Sequence, residues 1–463
     1  MKPRISAFVI VLLICGLALA SITHLGTVKA ATNVSGVISA DTTWTKTNSP
    51  YSLTGNILVS NGVTLTIEAG TTVNLNGYYI MVNGTLRARG TSSNKITFNG
   101  AGSISFTGFS ADWNEQTNSG CIVENAIFRT TSVSSDSSVK ISKSSLDSGV
   151  SGGGATIISE NVIEGKVSGG LVSGNTITGD VSGDTVTNNI ITGSVSGNTV
   201  SKNTITGGVI ARGNCVISEN TVTGGISGNG IGISVASEYI GVSGYPTIED
   251  NTITNTNIGI SIGVLIRDWF SANIPQIHRN AIIKNQVGML FEIVFQNPYG
   301  GRKPTTIQYN MISQNAIGIK IRGTFEQCTI QNNNIQDNSE YNLYLDGTSN
   351  NVNATYNWWG TTNEQAISQS IYDYKQDFTL GIVSFVPFLT EPNPQAPAIP
   401  TSTPTPPPTD FPTPTPPNMG PTSPPTSEPA LTPEQLEAIA GAVITVVVIG
   451  AAIGLLIYLI KKK

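Results

Sequence analysis

Between residues 181 and 208 the chain reads VSGDTVTNNIITGSVSGNTVSKNTITGG, with single apolar residues standing alone among Gly, Ser, Thr and Asn. Val181 and Val195, Val186 and Val200, Ile191 and Ile205, and Asn189 and Asn203 are each 14 residues apart. No 3.6-residue period links these positions, so an amphipathic helix is excluded. Isolated apolar residues between turn formers predict short strands joined by tight turns. Recurrence at a fixed period predicts that the strands stack as coils, because one coil alone cannot bury its apolar side.

An asparagine just ahead of an x-Ile or x-Val step recurs at Asn161, Asn175, Asn189, Asn203, Asn220, Asn251, Asn280, Asn310 and Asn334, in steps of 14, 14, 14, 17, 31, 29, 30 and 24 residues. The longer units add a second strand: NIGISIG (257–263), QVGMLFE (286–292), AIGIKIR (316–322) and EYNLYLD (340–346). Alternation predicts inward pairs Ile260/Ile262, Met289/Phe291, Ile319/Ile321 and Leu343/Leu345. The outward columns are then Ser261, Leu290, Lys320, Tyr344 and Gly263, Glu292, Arg322, Asp346. The 14-residue units keep three apolar positions, such as Val181, Val186 and Ile191, one per side of a thin triangular coil. Inward asparagines are expected to bond to the next asparagine and to turn backbone. Asparagine also tolerates the left-handed turn conformation. Spacing leaves a left-handed coil or a two-unit, 28-residue rung open for the thin region, and residues 100–160 show no rung register.

The N-x-I-x-x-N…G-I-x-I rungs resemble the parallel β-helix repeats of the pectate-lyase-like superfamily, NosD-like proteins included. The opening LTGNILVSNGVTLTIEAGTTVNLNGYYIMVNGTLRARGTSSNKITF resembles first rungs of secreted prokaryotic β-helix proteins. NATYNWWGTTNEQAISQSIYDYKQDFTLGIVSFVPFL (353–389) resembles their closing segment. The resemblance covers about residues 35–389 and implies an all-β, single-stranded, right-handed parallel β-helix solenoid. Of function it implies little, since that superfamily includes lyases, hydrolases and non-catalytic surface proteins.

The flanks change the picture from a fold to an address. Lys2 and Arg4 precede the apolar run Ile5–Ala20, which reads as a secretory signal over residues 1–30. The β-helix ectodomain follows at 31–389, with 353–389 as its closing cap. Seventeen of the 24 prolines fall in 391–433, so residues 390–433 read as an extended Pro/Thr/Ser-rich stalk open to O-glycosylation. Residues 434–460 read as one transmembrane helix, whose apolar run Ala438–Ile460 spans roughly 34 Å at ~1.5 Å per residue. Lys461–Lys463 stay cytoplasmic by the positive-inside rule, giving a single-pass protein of the cell membrane with an extracellular ectodomain. Gly450 and Gly454 form a GxxxG pair of the kind that dimerises spanning helices; the sequence assigns no oligomeric state. Only 11% of residues are charged and the net charge is −5, which disfavours nucleic acid as a partner.

Chemistry-bearing residues are few. Cys121, Cys215 and Cys328 are several coils apart, beyond disulfide reach, and are expected as free, buried thiols. His278 is the one histidine outside the signal, so no triad partners or two-histidine metal site are indicated. The copper association of some NosD-like proteins is not carried over, and no metal or cofactor is expected. Calcium enters only under a lyase reading, which the superfamily implies through outward acids with an Arg or Lys base. The outward column Glu292, Arg322, Asp346 alternates in sign and reads instead as a solvated salt-bridge row. A glycosidase needs two carboxylates at ~5–10 Å, which many stacked pairs would satisfy.

Recognition is expected in the loops after the second strand, at Tyr239 and Tyr245, at Arg267, Asp268 and Trp269, and at Tyr299, Arg302 and Lys303. Aromatic faces beside Arg and Asp suit sugar rings. Trp358 and Trp359 are expected to close the last coil, ahead of a short helix over 363–372 with Ile367 and Ile371 inward. Sequons stand at Asn33, Asn83 and Asn353. The leading expectation is a non-catalytic adhesin or carbohydrate-binding module. A membrane-tethered polysaccharide lyase or glycoside hydrolase, and a structural envelope component, are the alternatives.

Overall fold

The computed structural model describes residues 30–225, 230–237, 246–266, 275–295, 305–323 and 328–399. The expected signal segment up to residue 29, the expected membrane-spanning stretch, the terminal lysines and the expected stalk beyond residue 399 lie outside them. No helix among the described residues is long and apolar enough to cross a membrane.

The described chain winds into a 38-stranded sheet whose strand pairings are parallel, a β-solenoid, with a separate two-stranded parallel sheet, Val352–Asn353 with Val383–Ser384, in the closing cap. In the thin region Val167, Val181, Val195 and Val209 pair in succession, as do Val172, Val186, Val200 and Ile217. Ile163, Ile177, Ile191, Ile205 and Val222 form the third column. Residues 14 apart are thus direct partners, which excludes the 28-residue rung. All three columns are buried, and each aliphatic side chain so placed contributes about 1.5–3 kcal/mol relative to exposure. The second strands register as the alternation predicts: Ile260, Met289, Ile319 and Leu343 form one inward column, and Ile262, Phe291, Ile321 and Leu345 the next.

Asparagines run up one corner. Asn189 Nδ2 donates to Asn203 Oδ1 at 3.0 Å and to the Val172 and Thr187 carbonyls at 2.9 Å. Its own Oδ1 accepts the Asn175 backbone N–H at 2.9 Å. The same pattern runs from Asn161 to Asn310. Two expectations need correction. The ladder passes from Asn310 through Asn333 to Asn357, not through Asn334. Asn334 instead holds Asn393, accepting its N–H at 2.7 Å. The left-handed corner is also not taken by the ladder asparagine but by the residue before it. Asn188, Lys202, Glu219, Asp250, Arg279 and Tyr309 all have φ between 54° and 58°. That conformation costs an ordinary residue roughly 1–2 kcal/mol. It persists because the adjacent ladder bonds over-determine the turn. A second ladder, Thr256–Asn285–Asn315–Asn338, runs up another corner of the wide coils and was not foreseen.

Residues 100–160 acquire a register. The strand Ile96–Phe106 pairs with Ala126–Ser135, with a shift between Arg129 and Thr131 where Thr130 takes φ 54°. Residues 114–119 leave the coil as a short excursion closed by a bridge between Asn114 and Ser119, and Trp113 at its base is 6% exposed, with Arg89 and Lys140 at 5.4 and 5.5 Å from its ring centre. At the C-terminal end Trp359 is buried in the core, while half-buried Trp358 donates to Gln336 at 2.6 Å. The expected helix is shorter than its span: Glu364–Gln369 is helical, with Asn363 as its cap and Ile367 inward, and buried Ile371 belongs to the following strand.

Cys121 and Cys215 are buried free thiols; Cys328 lies in the strand Cys328–Gln331. Burial pushes the Cys121 thiol up to about 11 and raises that of Cys215 as well. Neither is expected to react with iodoacetamide at mildly alkaline pH in the folded chain, and both should react in concentrated urea. Peptide mapping of the labelled sites checks this.

Candidate functional site

The eight loop residues singled out for recognition, Tyr239, Tyr245, Arg267, Asp268, Trp269, Tyr299, Arg302 and Lys303, lie outside the described residues. The strands that lead into and out of their loops are in register across coils: Ile231–Ser237, Ile258–Ile266 and Val287–Phe295 before, and Thr247–Glu249, Gln276–His278 and Thr305–Gln308 after.

The outward charge row is a closed salt-bridge row. Arg322 Nη1 lies 2.7 Å from Glu292 Oε1 and Nη2 2.6 Å from Asp346 Oδ2, while Lys320 Nζ lies 3.1 Å from the same Asp346 oxygen. Burial alone would raise the Asp346 carboxyl, but hydrogen bonds from Arg322 and Lys320 outweigh it and hold the group below its ordinary value. An arginine shared by two carboxylates is a poor general base. In the neighbouring outward column, Tyr344 stacks on Tyr372 with centroids 4.6 Å apart, and Lys320 lies 5.3 Å from the Tyr344 ring centre. Tyr344 therefore has neighbours on both faces and offers no open ring to a sugar.

A second polar cluster was missed. Glu249 pairs directly with His278 on the next coil, and each is followed by a left-handed corner residue, Asp250 and Arg279. Arg279 donates to both Asp250 oxygens at 2.8 Å and to Glu249 Oε2 at 2.6 Å. His278 Nε2 lies 3.3 Å from that Glu249 oxygen. Burial, then the neighbouring Arg279 guanidinium, hold His278 below its ordinary 6.5, outweighing the two carboxylates. The unfolded chain therefore binds more protons as pH falls through 6.5, so this residue's contribution to stability is full above that value and declines below it. Replacing His278 by Gln is expected to flatten that decline. Urea midpoints of both proteins across mildly acidic pH check it.

The closing cap holds a pinned loop with open aromatic rings. Asp373, 2% exposed, accepts the N–H groups of Lys375 and Val383, both at 3.0 Å. Gln376 accepts the Asp373 N–H at 3.0 Å, Asp377 accepts the Thr379 N–H at 2.9 Å, and Tyr374 N–H reaches the Gly381 carbonyl at 3.0 Å. On this frame stand Tyr374 and Phe378, 43% and 77% exposed, edge to face with centroids 5.3 Å apart. Sequence reading passed over them; the signal was the alternation of turn formers and aromatics in YDYKQDFTLG (372–381).

Among the described residues no group of three or more His, Cys, Asp or Glu is placed to hold a metal ion. Of the sequon asparagines, Asn33 and Asn353 are exposed, whereas Asn83 is half-buried and accepts the Thr107 hydroxyl at 2.8 Å. No protein-family model matches this chain, and neither a curated protein nor a solved structure matches it.

Proposed function

We propose that this chain is a non-catalytic cell-surface module, a right-handed parallel β-helix held off the membrane by its proline-rich stalk and anchored by its C-terminal apolar helix, that binds a polysaccharide or surface glycan. The observation that carries the reading is the Tyr374–Phe378 pair on its pinned loop. Exposed rings held by backbone hydrogen bonds lose little entropy when a sugar stacks on them, which is the usual source of affinity at such sites. The closed Arg322 row and the Arg279 cluster support the non-catalytic half, because their carboxylates are already engaged by arginine. The eight loop residues form a second recognition patch within the same proposal.

The test applies the full-length protein in nanodiscs to a panel of neutral and uronic polysaccharides, recording retention and product formation together. The double change Tyr374→Ala and Phe378→Ala is expected to cut retention at least about tenfold, equivalent to ~1.4 kcal/mol. Unchanged retention would remove the cap loop from the proposal. New unsaturated or reducing ends would replace it with a degrading enzyme.

A further inference from the structure

The thin coils carry a surface that the glycan reading does not use. Successive coils read NTITG, NIITG, NTITG, NTVTG and NTITN, beginning at Asn175, Asn189, Asn203, Asn220 and Asn251. The central residue of each triplet points into the core, and the residues on either side point outward. Two outward columns result, one from Thr176 to Thr252 and one from Thr178 to Thr254. Every position is threonine except Ile190. In the first column each residue pairs with its counterpart on the next coil, and in the second the N–H groups of Thr192, Thr206 and Thr223 bond to the central carbonyl of the coil before.

The columns therefore form a grid. Its spacing is ~4.8 Å between coils and ~6.7 Å along each strand, and five coils make it about 19 Å long. Those two repeats are close to the in-plane oxygen repeats of hexagonal ice. The grid carries no charge and no aromatic ring; it is bounded by Val162 and Glu164 before it and Ala281 and Ile283 after it. Thr176, Thr178, Thr192, Thr204 and Thr206 are exposed. Among the described residues, the only hydrogen bond donated by a hydroxyl of the grid is from Thr192 to the Thr178 carbonyl at 2.8 Å. Thr176, Thr178, Thr204 and Thr206 thus present exposed hydroxyls with no bond to a described residue, while Thr221, Thr223, Thr252 and Thr254 are half-buried.

We propose that this threonine grid is an ice-binding face. β-Branched threonine is stiff at χ1, so its methyl and hydroxyl groups repeat with the backbone. An array of that kind orders first-layer water without losing side-chain freedom. A polysaccharide surface would call for aromatic platforms, and this face has none.

The experiment uses the full-length protein in nanodiscs, with empty nanodiscs as the blank. Partition into a slowly grown ice hemisphere and inhibition of ice recrystallisation are read together. The wild type is expected to enter the ice and slow crystal coarsening. Thr192→Lys and Thr206→Lys, each placing a charge in the grid, are expected to weaken both effects about tenfold. Circular dichroism and the urea midpoint confirm that each variant is folded, and Thr206→Ser serves where a lysine variant is not, with a smaller loss in the same direction. The cap-loop change Phe378→Ala is expected to leave ice entry intact, which separates this site from the glycan site. Exclusion of the wild type from ice overturns the proposal, as does full activity of folded lysine variants. Retention on crystalline chitin or cellulose through the same threonines, without ice entry, also overturns it, in favour of a solid polysaccharide.

Discussion

Replacing Asn189 by alanine is expected to destabilise the solenoid by about 2–5 kcal/mol, because buried polar groups left without partners cost ~1–3 kcal/mol each. The change removes the acceptor of the Asn175 backbone N–H and the side-chain donor to the Val172 and Thr187 carbonyls. Asn189 is 2% exposed, so water cannot step in without opening the corner. Aspartate is the sharper comparison. It keeps the acceptor oxygen, but as a carboxylate it faces two carbonyls with no hydrogen to offer. At neutral pH Asn189→Asp is expected to cost at least as much as alanine, since breaking a buried polar pair leaves an uncompensated charge. The deficit should shrink in acid as the carboxyl protonates and regains a donor. Urea midpoints of the three proteins at two pH values decide the matter, and a ladder of little energetic consequence would leave all three alike.

The second large effect belongs to a column of glycines. Gly179, Gly193 and Gly207 lie on successive thin coils, and a Cβ built on Gly193 would overlap the Gly179 carbonyl. Backbone, unlike a side chain, cannot turn away, so the coils must part. Gly193→Ala is expected to cost about 1–3 kcal/mol or more, the range for overpacking a filled interior, and Gly193→Val more again. Gly263 is the matched control: on the outer face of the strand Ile258–Ile266, nothing lies within 4 Å of its added Cβ. Gly263→Ala should be close to neutral. Thermal midpoints of the two alanine variants, side by side, test whether close approach or general helix-versus-strand preference sets the cost.

What could be read from the sequence was whatever repeated. The 14-residue period fixes which valines and isoleucines share a column, and strand alternation places Glu292, Arg322 and Asp346 in one outward row. The ladder slipped by one residue where asparagine stands at 332, 333 and 334, because residue type alone cannot say which takes the left-handed corner. The second ladder stands a constant five residues after the first, at 256, 285, 315 and 338, so its spacing was there to read, but its first member is threonine. Residues 100–160 resisted because the excursion around Trp113 and the shift at Thr130 break the count. His278 was dismissed for want of partners; Glu249 reaches it only from the neighbouring coil, whose length varies with its loop. The Tyr374–Phe378 loop is held by hydrogen bonds local to the cap, which no repeat reveals.

The grip on Asn393 has a mechanical consequence. Its N–H and carbonyl are both bonded to the Asn334 side chain, at 2.7 and 3.1 Å, and its Nδ2 reaches the Asn332 carbonyl at 2.9 Å. Tension applied to the chain beyond residue 399 therefore meets this clasp before it reaches the cap. A pull on the C-terminal end is resisted first by a small, re-formable knot of asparagines, while the coils behind it stay wound.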